Sequence, residues 1–103
     1  MNRIEMLTQF LAENPSDAFA RYGLAMEYSK NGEVETAMEQ FKKLLELHPD
    51  YAAGFFMAAQ TLAKAGRTPE AKKFLENGIS AAVRSGNAHA KGEMEAMLAE
   101  LAG

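Results

Sequence analysis

The sequence contains no cysteine and no apolar run that approaches the roughly 20 residues of a membrane-spanning helix. Without cysteine the chain can form no disulfide framework, no thiolate nucleophile and no sulfur-ligated metal site. The N-terminal segment is amphipathic and carries Glu5, so it lacks the apolar core of a signal peptide. These absences predict a soluble, cytoplasmic chain with no membrane partner.

Clusters of positive charge are also missing. The formal net charge is −3, and the lysines and arginines nowhere form the basic patch that contacts a phosphate backbone. We therefore predict no nucleic-acid partner. A length of 103 residues predicts one domain with a sizeable core.

Groups that could perform chemistry are scarce. His48 lies in a turn and His89 at the start of the last helix, and we expect neither to share a helix face with a second metal ligand. The glycines at helix ends stand singly, which excludes a phosphate-binding loop. The sequence therefore predicts no enzyme, no catalytic residue, no metal and no cofactor.

Apolar residues recur at helical spacing along almost the whole chain, and β-branched residues are few. Asn31-Gly32 and Gly66 predict left-handed helix stops, and Thr68-Pro69 predicts an N-cap followed by proline at the first helical position. The pattern predicts six helices, over 2–13, 17–30, 34–47, 51–65, 69–84 and 88–101.

The chain also repeats itself at an offset of 34 residues, a period typical of stacked helical hairpins. Leu7, Leu11 and Pro15 correspond to Phe41, Leu45 and Pro49. The same offset takes Ala18, Ala25, Lys30, Gly32 and Ala37 to Ala52, Ala59, Lys64, Gly66 and Ala71.

The first of the two middle hairpins carries large and small packing residues at Leu24, Ala25, Tyr28, Gly32, Ala37, Phe41, Leu44 and Pro49. The second carries them at Phe55, Ala58, Ala59, Leu62, Gly66, Ala71, Leu75 and Gly78. In these positions the two hairpins resemble the tetratricopeptide repeat (TPR) family. Two residues depart from the pattern. Arg21 takes an aromatic position, where we expect looser packing, and Val83 replaces a proline, which predicts a longer helix 69–84.

The resemblance implies an all-α fold, a right-handed superhelical stack of antiparallel helix hairpins of the TPR-like solenoid type. We expect a single domain over 1–103. It divides into a half-repeat helix at 1–15, repeat one at 18–51, repeat two at 52–85 and a capping helix at 87–102. The cap places Ala90, Met94, Met97, Leu98 and Leu101 on its apolar face.

The first helix of each predicted hairpin carries two apolar stripes. At about 100° per residue, Leu24, Ala25 and Tyr28 form the core-facing stripe of helix 17–30, and a second stripe lies roughly opposite. Helix 51–65 repeats this arrangement. In the resembled family the first helices of successive repeats line a concave surface, which implies an apolar groove for a peptide or helix of a partner protein. Its predicted residues are Phe19, Tyr22, Met26, Lys30, Ala53, Phe56, Met57, Gln60 and Lys64.

Lys30 and Lys64 suggest a clamp for a ligand carboxylate, as in some chaperone-binding members of the family. We do not expect that clamp, because Tyr22 and Phe56, with Met26 and Gln60, stand where its basic and asparagine residues would be. Lysine before a helix stop is also common for reasons of the helix dipole. The sequence thus predicts a non-enzymatic adaptor or scaffold whose partner it does not identify.

The N-terminal helix offers an alternative binding surface. Ile4, Leu7 and Leu11 form its expected inner stripe, and Met6 and Phe10 widen the apolar arc. Ordinary packing against the following helices is one reading of this width. The other is a self-associating structural module, a homodimer with contacts from Met6 and Phe10.

Overall fold

The computed structural model describes residues 1–103 and consists of α-helices joined by short connections. The six helices are α1 (Arg3–Glu13), α2 (Ala18–Lys30), α3 (Val34–Leu47), α4 (Ala52–Lys64), α5 (Thr68–Ser85) and α6 (Ala88–Ala102). Each predicted helix is present, with ends within one residue of the prediction. The chain forms two compact units, Met1–His48 with α1 to α3 and Pro49–Gly103 with α4 to α6.

Unit 1 is held together by the apolar faces of its three helices. Leu11 of α1 is buried against Ala20 and Leu24 of α2, and Ile4, Leu7 and Tyr28 pack around them. The α3 contribution repeats at helical spacing and is almost entirely removed from water, at Ala37, Met38, Phe41 and Leu44. Burial of the larger of these side chains contributes roughly 1.5–3 kcal/mol each to the free energy of unfolding; these are Met38, Phe41 and Leu44.

Unit 2 depends on small residues that let its helices approach closely. Gly78 of α5 is buried, and a β-carbon placed there would lie 2.7 Å from Cβ of Phe55 and 2.5 Å from Sδ of Met94. The core of the unit contains Ala58, Ala59, Leu62, Ala71, Leu75, Ala81, Ala82 and Met94. Met94 belongs to the predicted apolar face of the last helix, whose other members are half-buried.

The helix ends confirm the predicted left-handed stops. Gly32 and Gly66 both have φ of +78°, a conformation that residues with a side chain rarely adopt. At the first, the amide of Glu33 donates to the carbonyl of Tyr28 at 2.9 Å, and at the second, Arg67 donates to Leu62 at 2.9 Å. This is the Schellman pattern, repeated 34 residues apart.

Two expectations about the second hairpin have different outcomes. The N-cap of α5 is Arg67 rather than Thr68, which is already helical, and Arg67 pairs with Glu70 at 2.7 Å across the first turn. The hydroxyl therefore makes no capping hydrogen bond there. The expected lengthening is confirmed, because α5 has 18 residues and its counterpart α3 has 14.

The loosening expected at Arg21 is not observed. Its side chain is buried at 8% exposure, and the guanidinium donates to Oε1 of Gln40 at 2.7 Å and to the carbonyl of Pro15 at 2.9 Å. The guanidinium thus joins the α1–α2 connection to α3, where an aromatic ring could only fill space. Its Nε is buried without a hydrogen-bond partner.

No helix of the structure combines the length and the apolar character needed to cross a lipid bilayer.

Candidate functional site

The α2 helix keeps apolar side chains on the side away from its core stripe. Phe19 is 68% exposed, and Tyr22 and Met26 are half-buried, while Leu24 and Ala25 are buried. Asp17 caps the helix by accepting from the amide of Ala20, which fixes where the face begins. Lys30 ends the helix and is exposed. The predicted site residues of α2 therefore belong to a surface that solvent reaches; they are Phe19, Tyr22, Met26 and Lys30.

The α4 helix of unit 2 has a corresponding face. Ala53 and Lys64 are exposed, whereas the three residues between them on this face, Phe56, Met57 and Gln60, are half-buried. Ala58, Ala59 and Leu62 on the other side have no exposed area. The sequence pattern missed Thr61, which is buried and donates from its hydroxyl to the carbonyl of Met57 at 2.8 Å. A self-satisfied threonine is hard to distinguish from an exposed one by periodicity alone.

Unit 1 also contains an open pocket of about 420 Å³ between α1 and the beginning of α2. We call it the α1–α2 pocket. It brings together Phe10 and Phe19, which the sequence analysis assigned to two different surfaces. Its lining residues are Arg3, Leu7, Phe10, Asp17, Phe19 and Ala20.

The two charged residues of the α1–α2 pocket are held by neighbours. Nε of Arg3 lies 3.3 Å from Oε2 of Glu27, an ion pair between α1 and α2. Oδ1 of Asp17 accepts from the amide of Ala20 at 2.8 Å. A guanidinium has five N–H donors and a carboxylate about four acceptor positions, so each group can accept a further partner.

Sequence reasoning missed Arg3 and Asp17 as members of a pocket. Asp17 reads as a helix cap, and Arg3 reads as a surface charge on the first turn of α1. For Asp17 the signal that could have found it is the antiparallel pairing of α1 and α2, which places the end of α1 beside the start of α2. For Arg3, at the other end of α1, the sequence carries no such signal.

Met6 and Phe10, the possible contacts of a homodimer, are both exposed on α1. Met6 is 56% exposed and Phe10 is 45% exposed, whereas Leu11 is buried under α2. The inner apolar stripe of α1 thus packs against α2 within unit 1. The residues that widen the apolar arc reach solvent.

The histidines make separate local contacts. Nε2 of His48 lies 2.7 Å from the carbonyl oxygen of Ser16, which ties the end of α3 to the α1–α2 connection. The expectation that neither histidine shares a helix face with a carboxylate is wrong for His89, whose Nε2 lies 3.4 Å from Oε1 of Glu93 one turn later. The pair is exposed, and no group of three potential metal ligands occurs in the structure.

The fold defines a class of protein, the helical repeat proteins built from paired antiparallel helices. Comparison with known proteins identifies the family. Residues 28–92 match the model of the tetratricopeptide repeat. A TPR repeat-containing protein of Pseudomonas aeruginosa is 32% identical over 98 residues, which cover 95% of this chain and 93% of that protein. The chain belongs to the tetratricopeptide repeat family.

Solved structures agree with this assignment. The solution structure of a tetratricopeptide repeat domain protein from Salinibacter ruber is 28% identical, covers 84% of this chain and 88% of that one, and has a TM-score of 0.78. PcrH, solved in complex with the chaperone-binding region of PopD, has a TM-score of 0.86 at 16% identity, with 96% and 75% of the chains covered. The expected all-α, TPR-like solenoid is confirmed. Such repeats generally act as non-enzymatic protein-interaction modules.

Proposed function

We propose that this chain captures a peptide or helix of a partner protein on the apolar faces of α2 and α4. The observation that carries the proposal is that each helix keeps aromatic and methionine side chains on the side away from its buried stripe. In α2 these include Tyr22 and Met26, and in α4 they are Phe56 and Met57, all half-buried. Aromatic rings and methionine offer large contact areas that adapt to the shape of a ligand.

The polar residues of the two faces give the ligand an orientation. Gln60 supplies both a donor and an acceptor to a peptide backbone, and Lys30 and Lys64 supply positive charge at the C-terminal ends of their helices. The likeness to PcrH supports a segment of another protein as the class of ligand, because that structure contains the chaperone-binding region of PopD.

The expected affinity is micromolar or weaker. Two or three apolar anchors contribute roughly 1.5–3 kcal/mol each, and the entropy lost on association and on ordering of the peptide opposes them. A dissociation constant near 1 μM corresponds to about −8 kcal/mol.

The test begins with peptides selected against the immobilised protein from a displayed random library. A selected peptide is titrated into nitrogen-15-labelled protein, and we expect the largest amide shifts in α2 and α4. The double variant Tyr22→Glu/Phe56→Glu should weaken binding at least tenfold. The matched control Leu47→Glu/Val83→Glu changes apolar residues that are 48% and 61% exposed on α3 and α5, and should bind normally.

Two results would contradict the proposal. One is a shift map concentrated on α3, α5 or α6, and the other is equal loss of binding in the control variant. Circular dichroism establishes whether each variant is folded. If the Tyr22→Glu/Phe56→Glu protein is unfolded, the shift map of the unmodified protein decides.

A further inference from the structure

Two of the five exposed large apolar side chains of unit 1 line one feature, the α1–α2 pocket. Phe10 and Phe19 line it, at 45% and 68% exposure, and Met6 on α1 is 56% exposed. Contiguous exposed apolar surface of this kind marks an interaction site. Peptide capture on α2 and α4 does not account for it, because most of the lining belongs to α1 and to the α1–α2 connection.

The two charged residues of the α1–α2 pocket stand at its opposite ends along α1. Arg3 begins α1, and Phe10 lies seven residues later, about 10 Å along the helix axis at 1.5 Å per residue. Asp17 stands just before α2, beside the end of α1 where Phe10 and Phe19 are. The pocket therefore has at one end Arg3, which is paired with Glu27 of the same copy, an apolar middle, and the carboxylate of Asp17 at the other end.

We propose that the α1–α2 pocket binds a second copy of this chain in a two-fold symmetric dimer. In an isologous interface each contact occurs twice, with the two residues exchanged between the copies. A two-fold axis near Leu7 runs the α1 helices antiparallel, so that Arg3 of each copy meets Asp17 of the other. The order of charges thus makes the pocket complementary to itself.

The available apolar area suits a small dimer interface. Taking about 200 Å² for a whole phenylalanine or methionine side chain, the exposed parts of Met6, Phe10 and Phe19 amount to roughly 300 Å² per copy. An interface of about 1,000 Å² in total takes about 500 Å² from each copy, of which about 65% is apolar when two copies of one chain associate. The two figures agree at this lower limit of interface size when all three side chains become wholly buried.

The decisive experiment is a charge exchange followed by sedimentation at about 100 μM. The unmodified protein should be a dimer, and Arg3→Glu or Asp17→Arg alone should raise the dissociation constant at least tenfold, because each places like charges together twice. An equimolar mixture of the two variants should form heterodimers again, since one charge pair is then restored with reversed sign and the other is the original pair of Arg3 with Asp17. Lys43→Glu, on an exposed position of α3 outside the pocket, should dimerise normally.

Asp17 also caps α2, so a second pair of variants guards against loss of folding. Asp17→Asn keeps a capping oxygen but removes the charge, and it should weaken the dimer several-fold without loss of helix content. Phe10→Glu should give a folded monomer. A monomeric unmodified protein at about 100 μM would overturn the proposal, as would a dimer that none of the pocket variants weakens.

The experiments can contradict the proposed dimer and the proposed capture of a ligand independently. The sedimentation samples contain no ligand. The Tyr22→Glu/Phe56→Glu variant leaves every lining residue of the α1–α2 pocket unchanged. A monomer that still binds selected peptides contradicts only the dimer. A dimer that binds none contradicts only the proposed function.

Discussion

Replacement of Gly78 by alanine tests how closely the helices of unit 2 approach one another. Two effects oppose each other. Alanine is favoured over glycine inside a helix by about 1 kcal/mol. The new β-carbon would lie 2.5 Å from Sδ of Met94 and 2.7 Å from Cβ of Phe55, and overpacking of this kind typically costs about 1–3 kcal/mol.

The identity of the two neighbours decides which effect wins. Met94 is flexible, and its sulfur can rotate away. Cβ of Phe55 is attached directly to the backbone of α4, so it moves only if the helix moves. We therefore take the upper part of the packing cost and expect Gly78→Ala to lower the free energy of unfolding by about 1–2 kcal/mol.

Gly92 is the matched control. It lies within α6, it is exposed, and a β-carbon placed there meets no atom within 4 Å. Gly92→Ala should therefore raise the free energy of unfolding by about 0.5–1 kcal/mol. Urea denaturation followed by circular dichroism measures both. Thermal melting should show changes of opposite sign, at about 4–8 °C per kcal/mol. If Gly78→Ala stabilises the protein as much as Gly92→Ala, the close approach of α4 and α5 is refuted.

Three further changes have expected effects on unfolding in urea. Arg21→Ala removes a buried side chain and its hydrogen bonds to half-buried Gln40 and exposed Pro15, and should cost about 1–2 kcal/mol; a loss under 0.5 kcal/mol would contradict that role. Asp17→Ala removes a capping oxygen and should cost about 1 kcal/mol, while Asp17→Asn should stay within about 0.5 kcal/mol; equal effects would argue against capping. Gly66→Ala forces a side chain into the left-handed region and should cost about 1–2 kcal/mol, and an unchanged midpoint would count against that strain.

The fold could be predicted from sequence because local residues mark where its helices begin and end. Asn31-Gly32 and Gly66 stop their helices by a backbone requirement that only local residues determine. The small residues at offsets of 34 predict which faces pack together. Thr68 shows the limit of such local signals, since the helix begins one residue earlier than predicted, after Arg67, whose side chain makes no capping hydrogen bond.

The proposed binding surfaces could be predicted only in part. Periodicity places Phe19 and Phe56 away from the buried stripes, and in the structure Phe19 is exposed and Phe56 is half-buried. It cannot show that Phe10 and Phe19 share a pocket, because this depends on how α1 lies against α2. Nor can it show that Arg21 is buried, because a guanidinium with hydrogen-bond partners from distant residues has the same sequence signature as a solvated one.

Packing between helices that follow one another along the chain has a kinetic consequence. The main contacts join α1 to α2, α2 to α3, α4 to α5 and α5 to α6. Closing them requires only short loops, and domains rich in such local contacts fold in microseconds to milliseconds. Each unit contains a complete hairpin, so a nucleus can form in either one. The speed of folding therefore depends on how quickly one hairpin closes.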